Sequence, residues 1–302
     1  MKIMVTGIGG VGGYLAGVLA YYYPDVTLIA RKKRKESLLK NGLILHSDFF
    51  GEHVLHPAVT DNPASAGVQD IIFVCVKNYS LPAALTAVLP CIGPDTAVVL
   101  VQNGVDHRKK AQAIMHQGKI VDSAIYITSS YLADYSIRQE GKFTFLYVGS
   151  QDKAAAKKVY EAINHPGITA ILSDDIDVEI WRKYILNCAY NVLTAYYDTS
   201  IGGALNHPHG KEDYHTLLEE AYKVGKAAGV ALPETTVEDQ YNRIVKDTKD
   251  REATSSLKRD LAAGHQSELD TFSGVLVRLA KKYHVDVPLS EKCYHALLQR
   301  SH

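Results

Sequence analysis

The sequence predicts an α/β protein, with an N-terminal Rossmann-type, doubly wound parallel sheet and a C-terminal all-helical domain. A glycine-rich turn directly follows the first predicted strand, and buried strands then alternate with helices. From Asp177 onward only helical periodicity remains. We place the boundary in the turn-rich region 165–175, which gives a cofactor-binding domain at 1–173 and a substrate or catalytic domain at 174–302.

Composition excludes several classes of protein. The 302 residues are 46% hydrophobic and 22% charged, with a formal net charge of +0. This content supports real hydrophobic cores, and the charge balance argues against nucleic-acid binding and polybasic membrane attachment. The four cysteines are far apart and the histidines lack ligand spacing, so we expect neither disulfides nor a metal site. Because Met1 leads at once into a short strand without an export or membrane-spanning segment, we expect a cytoplasmic protein.

The first predicted strand, Lys2–Thr6, is followed by the motif G-x-G-x-x-G and by a helix over Tyr14–Tyr22. This order is that of the dinucleotide-binding turn, where Gly7 permits the tight turn, Gly9 lets the backbone approach a pyrophosphate and Gly12 lets the helix pack closely. A glycine-rich turn without a ligand is the alternative. The predicted cofactor-binding residues of the turn are Gly7, Ile8, Gly9, Gly10, Val11 and Gly12.

The second strand, Val26–Ala30, ends at Arg31, and basic residues continue to Arg34. NAD-binding proteins usually carry Asp or Glu at this position to bind the ribose 2′-hydroxyl. A guanidinium suits the 2′-phosphate of NADP instead. We therefore predict NADP as the cofactor and Arg31 as a ligand of its phosphate; a solvated basic start of a helix is the alternative.

The apolar runs Asp70–Lys77 and Ala97–Val101 predict two more buried strands. Lys77 and Asn103 follow their carboxyl ends, which is the edge where open parallel sheets bind ligands. We predict that both residues lie at the cofactor, although a simple loop role explains each alone. The other predicted elements of this half are strands within Gly42–Val59, Ile120–Ser129, Ser136–Gln139, Phe143–Val148 after a turn at Gly141, and Ile168–Leu172, and helices over Ser80–Leu89 and Asp152–Asn164.

The first long helix of the second half is apolar on nearly every face over Ile180–Ala195, which predicts a buried helix. Lys183, Asn187 and Asn191 nevertheless form one polar stripe along it, at i, i+4 and i+8. Buried polar groups need partners, which neighbouring residues, water or a ligand could supply, and the helix could also form a homodimer contact. The predicted helices are Asp177–Tyr197, Glu212–Ala228, Pro233–Lys246, Glu268–Tyr283 and Glu291–Leu298.

Together these features resemble the ketopantoate reductase (2-dehydropantoate 2-reductase) family over nearly the whole chain. The segment Glu179–Asn191 is the most specific part of the resemblance. The other matching segments are Gly7–Gly12, Arg31, Val76-Lys77, Gln102-Asn103-Gly104, Ser255-Ser256 and His265–Asp270.

The resemblance implies reduction of 2-dehydropantoate to (R)-pantoate with NADPH, a step of pantothenate and coenzyme A biosynthesis. It implies that Lys183 is the proton donor, that Glu268 is a second catalytic and substrate-binding residue, and that Lys77 lies on the nicotinamide side. It also implies that substrate is bound by Asn103, Lys183, Asn187, Asn191, Ser256 and Glu268.

Two asparagines found in many members of the family are replaced here, near Ile201 and at Ala253. These departures concern the identity of the 2-oxo acid more than the type of reaction. A reductase of another 2-oxo acid is therefore an alternative. A related hydroxyacid or polyol-phosphate dehydrogenase is another, for which Lys258 and Arg259 are the available phosphate ligands. A non-catalytic NADPH-binding regulator is the third.

Overall fold

The computed structural model describes residues 1–246 and 251–300. The chain divides into two compact units, Met1–Ile176 and Asp177–His302. The first contains all the strands described, and the second is helical. The predicted fold class, a Rossmann-type sheet followed by a helical region, is confirmed.

The first unit is built on a 10-stranded sheet in which β4, β3, β9, β8, β7, β6, β1, β2 and β5 follow one another, and β10 pairs with β9. Most neighbouring strands are parallel; β3 with β4 and β8 with β9 are antiparallel. The strands are β1 (Ile3–Thr6), β2 (Val26–Ile29), β3 (Leu43–Ser47), β4 (Gly51–Leu55), β5 (Ala58–Thr60), β6 (Ile71–Val74), β7 (Ala97–Leu100), β8 (Lys119–Tyr131), β9 (Ile137–Gly149) and β10 (Thr169–Leu172).

Helices cover both faces of this sheet. Ile3 and Val5 of β1 lie in one apolar cluster, while Met4 lies in the other, as the alternation of side chains along a strand requires. Strands buried on both faces explain the continuous apolar runs in the sequence. The helices of this unit are α1 (Gly10–Tyr22), α2 (Lys32–Asn41), α3 (Leu81–Val88), α4 (His107–Gln112) and α5 (Lys153–Ile163).

The predicted turn at Gly141 is wrong. The chain reverses after Tyr131, and β9 runs unbroken from Ile137 to Gly149. Gly141, with φ +82°, lies instead where the β8–β9 register shifts between Tyr126 and Thr128. A glycine with positive φ suits a bulge as well as a turn, which is why the sequence alone misplaced the reversal.

The second unit contains seven α-helices in its described part, together with a π-helical turn at Asp270–Gly274. Buried Glu220 of α8 accepts hydrogen bonds from the backbone nitrogens of Leu289 and Ser290, at 2.9 and 2.8 Å, and thereby caps the last helix. The helices are α6 (Ile176–Tyr196), α7 (Ile201–Asn206), α8 (Gly210–Ala227), α9 (Thr236–Val245), α10 (Ser256–Ala262), α11 (Val275–Tyr283) and α12 (Pro288–Leu298).

Two global features complete the description. Within residues 1–246 and 251–300, every helix is too short or too polar to cross a membrane. Over the same residues, His, Cys, Asp and Glu side chains form no group of three that could hold a metal ion.

Candidate functional site

The glycine-rich turn between β1 and α1 has the geometry of a phosphate cradle. Gly7 has φ +86°, and a Cβ there would lie 2.6 Å from the nitrogen of Val76. At Gly12 a Cβ would lie 2.1 Å from the carbonyl oxygen of Gly7, so the helix packs directly on the turn. A Cβ at Gly9, in contrast, would meet no described atom within 4 Å. The turn is therefore closely packed on its inner side and open at Gly9, where a ligand can approach.

The amino end of α1 starts inside this turn, at Gly10, and not at Tyr14 as predicted. No described side chain caps the helix at Gly9, so its first N–H groups and the positive end of the helix dipole are available to an anion. Ile8 and Val11 pack into the apolar core and anchor the turn. These features fit a pyrophosphate.

Arg31 is exposed at the end of β2, where it precedes α2. The neighbouring Lys35 binds Asp61 at 2.8 Å. Its hydrogen bond lowers the pKa of the Asp61 carboxyl below the usual value, and the charge of Arg31 adds to this effect. The end of β2 is thus positively charged. The nearby carboxylate of Asp61, which follows β5, is paired with Lys35.

Lys77 and Asn103 follow the adjacent strands β6 and β7, and both are half-buried. Gln102 donates from Nε2 to the carbonyl oxygen of Val74 at 2.6 Å and ties the two strand ends together. Since β2, β1, β6 and β7 are consecutive parallel strands, the glycine turn, Arg31, Lys77 and Asn103 all lie at one edge of the sheet. This is the arrangement that the sequence predicted.

A polar network behind Lys77 was not predicted. Asn78 donates from Nδ2 to Asp106 at 2.9 Å and accepts from Lys110 at 3.1 Å, and Lys110 binds Asp106 at 2.7 Å. Asn78 is only 1% exposed, so the network fixes the backbone immediately after Lys77. The Lys77-Asn78 pair in the sequence marked the strand end, but it contained no signal for partners about thirty positions away.

In the helical unit, Lys183 lies on α6 and is partly buried. Burial lowers the pKa of its ammonium to about 8, and the negative charge of Glu268 opposes this shift. Glu268 is 3% exposed and stands just before the π-helical turn. The hydroxyl of Tyr184 donates to the carbonyl oxygen of Thr271 at 2.9 Å and so ties α6 to that turn. Such π-helical turns are frequent at functional sites.

The two asparagines of the stripe form a directed chain of hydrogen bonds. Asn191 accepts at Oδ1 from the hydroxyl of Ser256 at 3.3 Å and from the backbone nitrogen of Leu257 at 3.4 Å. Because a backbone N–H can only donate, the atom of Asn191 that faces it must be the oxygen. Nδ2 of Asn191 then donates to Oδ1 of Asn187 at 3.3 Å. Oδ1 of Asn187 is therefore occupied by Asn191, and its amide nitrogen is the remaining polar atom of that side chain.

Thr194 and Ser255 support this chain. Neither was predicted to be a site residue, although Ser255 belongs to the matching segment Ser255-Ser256. The hydroxyl of Thr194 donates to that of Ser255 at 2.7 Å, and Ser255 accepts from the backbone nitrogen of Lys258 at 3.1 Å, which caps α10. The helix itself was not predicted, since it lies between the predicted helices Pro233–Lys246 and Glu268–Tyr283. A capping signal was nevertheless present, since serine is a preferred N-cap residue.

An open glycine turn at the carboxyl edge of a parallel sheet is the arrangement with which dinucleotide-dependent oxidoreductases bind their cofactor. A lysine whose pKa is lowered by burial and raised by a carboxylate is typical of a functional site. Two family profiles cover almost the whole chain. Residues 3–153 match "Ketopantoate reductase PanE/ApbA", and residues 175–301 match its C-terminal part. The chain belongs to the ketopantoate reductase family.

Individual proteins resemble the chain at low identity. The chain is 27% identical over 297 residues to the uncharacterized oxidoreductase YkpB of Bacillus subtilis, covering 97% of each protein. A ketopantoate reductase structure from Ralstonia eutropha superposes with a TM-score of 0.91 and 25% identity, covering 100% of this chain and 98% of the other. A D-mandelate dehydrogenase structure with NADH and anilino(oxo)acetate has the same fold, with a TM-score of 0.89, 21% identity, and coverage of 100% and 98%.

Proposed function

We propose that the protein is a cytoplasmic NADPH-dependent 2-dehydropantoate 2-reductase, which forms (R)-pantoate for pantothenate and coenzyme A biosynthesis. The observation that carries this proposal is Lys183, whose ammonium has a pKa of about 8 next to the charge of Glu268. An acid whose pKa is near the working pH is best suited to protonate the oxygen that becomes the alcohol.

The N-terminal unit supplies the cofactor site. Bound NADPH would contribute the hydride to C2 of the keto acid. The glycine turn, with Gly9 open and α1 uncapped, holds the pyrophosphate, and Arg31 holds the 2′-phosphate. Lys77 and Asn103 orient the nicotinamide end at the same sheet edge.

The helical unit supplies the acid and the substrate contacts. Lys183 gives its proton to the ketone oxygen, and Glu268 keeps enough of the lysine protonated for this role, since its charge raises the lysine pKa. Asn187 offers an N–H donor to the substrate because Asn191 occupies its oxygen. Ser256 donates to Asn191, so it keeps its lone pairs for a hydroxyl of the substrate.

Phosphorylated substrates are disfavoured, because the two basic residues predicted for them already have protein partners. Lys258 binds Asp198 at 2.9 Å, and Arg259 donates to the carbonyl oxygen of Thr254 at 2.9 Å. The two positions where many family members carry asparagine are neighbours, since the nitrogen of Ile201 donates to the carbonyl oxygen of Ala253 at 2.9 Å. They offer no side-chain amide here, so a different 2-oxo acid is the second candidate substrate.

The direct test is oxidation of NADPH and NADH by the purified protein, measured in parallel with a panel of 2-oxo acids. We expect the highest kcat/KM with 2-dehydropantoate and NADPH. A higher value with another 2-oxo acid would reassign the substrate. Dinucleotide binding without turnover of any 2-oxo acid would identify a regulator, and equal use of NADH would refute the role of Arg31. Light scattering on the same preparation tests whether the chain forms the homodimer that the apolar helix α6 allows.

Substitution Asn191→Asp is expected to raise KM for the 2-oxo acid by about 10- to 100-fold, with a smaller change in kcat. The new carboxylate oxygen would face Oδ1 of Asn187, so that amide must turn and present its oxygen to an anionic substrate. The estimate corresponds to one hydrogen bond to a charged group, about 1.5–3 kcal/mol. An unchanged KM in a variant with the wild-type melting temperature would show that the chain of amides does not orient Asn187.

A further inference from the structure

The start of α2 and the turn between β8 and β9 are joined by Arg34. Its Nη1 donates to the carbonyl oxygen of Tyr135, and its guanidinium carbon lies 4.9 Å from the centre of the Tyr131 ring. The rings of Tyr131 and Tyr135 are 5.8 Å apart. The guanidinium therefore has a fixed plane, held by one hydrogen bond and one cation–π contact.

The opposite edge of that guanidinium has no partner among the described residues. Nε and Nη2 of Arg34 are buried, and neither forms a hydrogen bond with any residue that the structure describes. These two nitrogens form the side-on fork with which arginine binds two oxygens of one carboxylate or phosphate group. A buried charged donor without a partner is costly, so the arrangement is best explained by an oxyanion that the protein itself does not provide.

This fork belongs to the same edge of the sheet as the phosphate cradle. A Cβ at Gly10 would lie 2.7 Å from the carbonyl oxygen of Ser129, so the end of β8 packs on the glycine turn. Oγ of Ser129 is a second buried polar atom that lacks a partner among residues 1–246 and 251–300. Arg31 is the N-cap residue of α2, and Arg34 lies three positions later in the first turn of the same helix.

We propose that Arg34 is a second specificity-determining residue, which binds the phosphate monoester on the adenosine ribose together with Arg31. Tyr131 holds the guanidinium plane for this contact. Protein atoms cover the fork in this structure, so binding requires the turn beyond Tyr131 to move; Leu132 in it is 38% exposed. The inference rests on the proposed use of NADPH. It adds a second arginine contact with the phosphate to the one expected from Arg31.

Calorimetric titration with 2′,5′-ADP and 5′-AMP tests the proposal without any turnover. In Arg34→Met, we expect binding of 2′,5′-ADP to weaken about 10- to 100-fold, the value of a charge-assisted hydrogen bond, while 5′-AMP binding changes less than about threefold. Arg34→Lys keeps the charge and the stem without the fork and should lose most of the same preference. Tyr131→Ala should show a smaller loss in the same direction.

The matched control is Arg138→Ala, which removes one positive charge from β9, the strand that follows the same turn. Arg138 is paired with Asp48 at 2.7 Å, so both nucleotides should bind this variant as they bind wild type. Equal weakening of both nucleotides in Arg34→Met, or no weakening of either, would overturn the proposal for Arg34. If wild type itself does not prefer 2′,5′-ADP over 5′-AMP, the proposed preference for NADPH is wrong. Arg31→Ala will then also leave the ratio of the two affinities unchanged.

Discussion

Replacement of Lys183 by alanine is expected to lower kcat/KM for NADPH-dependent reduction of the 2-oxo acid by about 10²- to 10⁴-fold. Without the ammonium, no described group on this stripe of α6 can give a proton, since the amides of Asn187 and Asn191 are too weakly acidic. The binding of NADPH should not change, because the proposed dinucleotide site lies in the other unit. Steady-state kinetics and nucleotide titration measure the two effects separately.

The neighbouring residue supplies a matched control. Arg182 is a cation on the same helix, 3.7 Å from Glu179, and its replacement by alanine removes the same charge without touching the stripe. Arg182→Ala should retain kcat/KM within about twofold, as surface ion pairs contribute little. A Lys183→Ala enzyme within tenfold of wild type would remove Lys183 from the chemistry.

The pH dependence of the wild-type enzyme gives the same assignment a second readout. Lys183 must be protonated to act as an acid, and its pKa is about 8. The rate constant kcat/KM should therefore be constant below this value and fall as the pH rises through it. Since the charge of Glu268 raises that pKa, Glu268→Gln should move the falling limb to lower pH. If the falling limb stays at the same pH in Glu268→Gln, the charge of Glu268 does not affect the pKa of Lys183.

The parts of the site that the sequence predicted are those encoded by neighbouring residues. The glycine turn needs small residues at fixed spacing directly after a strand, so Gly7, Gly9 and Gly12 identify it by themselves. The stripe Lys183, Asn187 and Asn191 follows from helical periodicity alone. Strand ends place Lys77 and Asn103 because parallel strands share one carboxyl edge.

The parts that the sequence did not predict depend on contacts between distant positions. Asn191 is oriented by Ser256, which is 65 residues away, and nothing in either segment specifies that pairing. Arg34 was visible only as part of a basic cluster, since its partner Tyr135 belongs to a turn that the sequence placed at Gly141. Propensity identifies a flexible position such as Gly141, but tertiary packing decides whether it becomes a turn or a bulge.

In the glycine turn, two glycine-to-alanine substitutions should distinguish an effect on cofactor binding from an effect on stability. Gly9→Ala is expected to weaken dinucleotide binding by at least about 100-fold, the loss of one or two charge-assisted hydrogen bonds. The added methyl group would occupy the open space at Gly9, where the backbone must approach the pyrophosphate. The melting temperature should stay the same or rise slightly, because Gly9 has φ −95° in the extended region, which alanine adopts readily.

Gly12→Ala should show the opposite order of effects. Its Cβ would lie 2.1 Å from the carbonyl oxygen of Gly7, so α1 has to move away from the turn. Overpacking of this kind costs about 1–3 kcal/mol and should lower the melting temperature by several degrees before any nucleotide is added. Thermal unfolding with and without NADP⁺ distinguishes the two variants. If Gly9→Ala binds the dinucleotide like wild type, the open side of the turn is not the pyrophosphate site, since a methyl group there must obstruct any phosphate held by the first turn of α1.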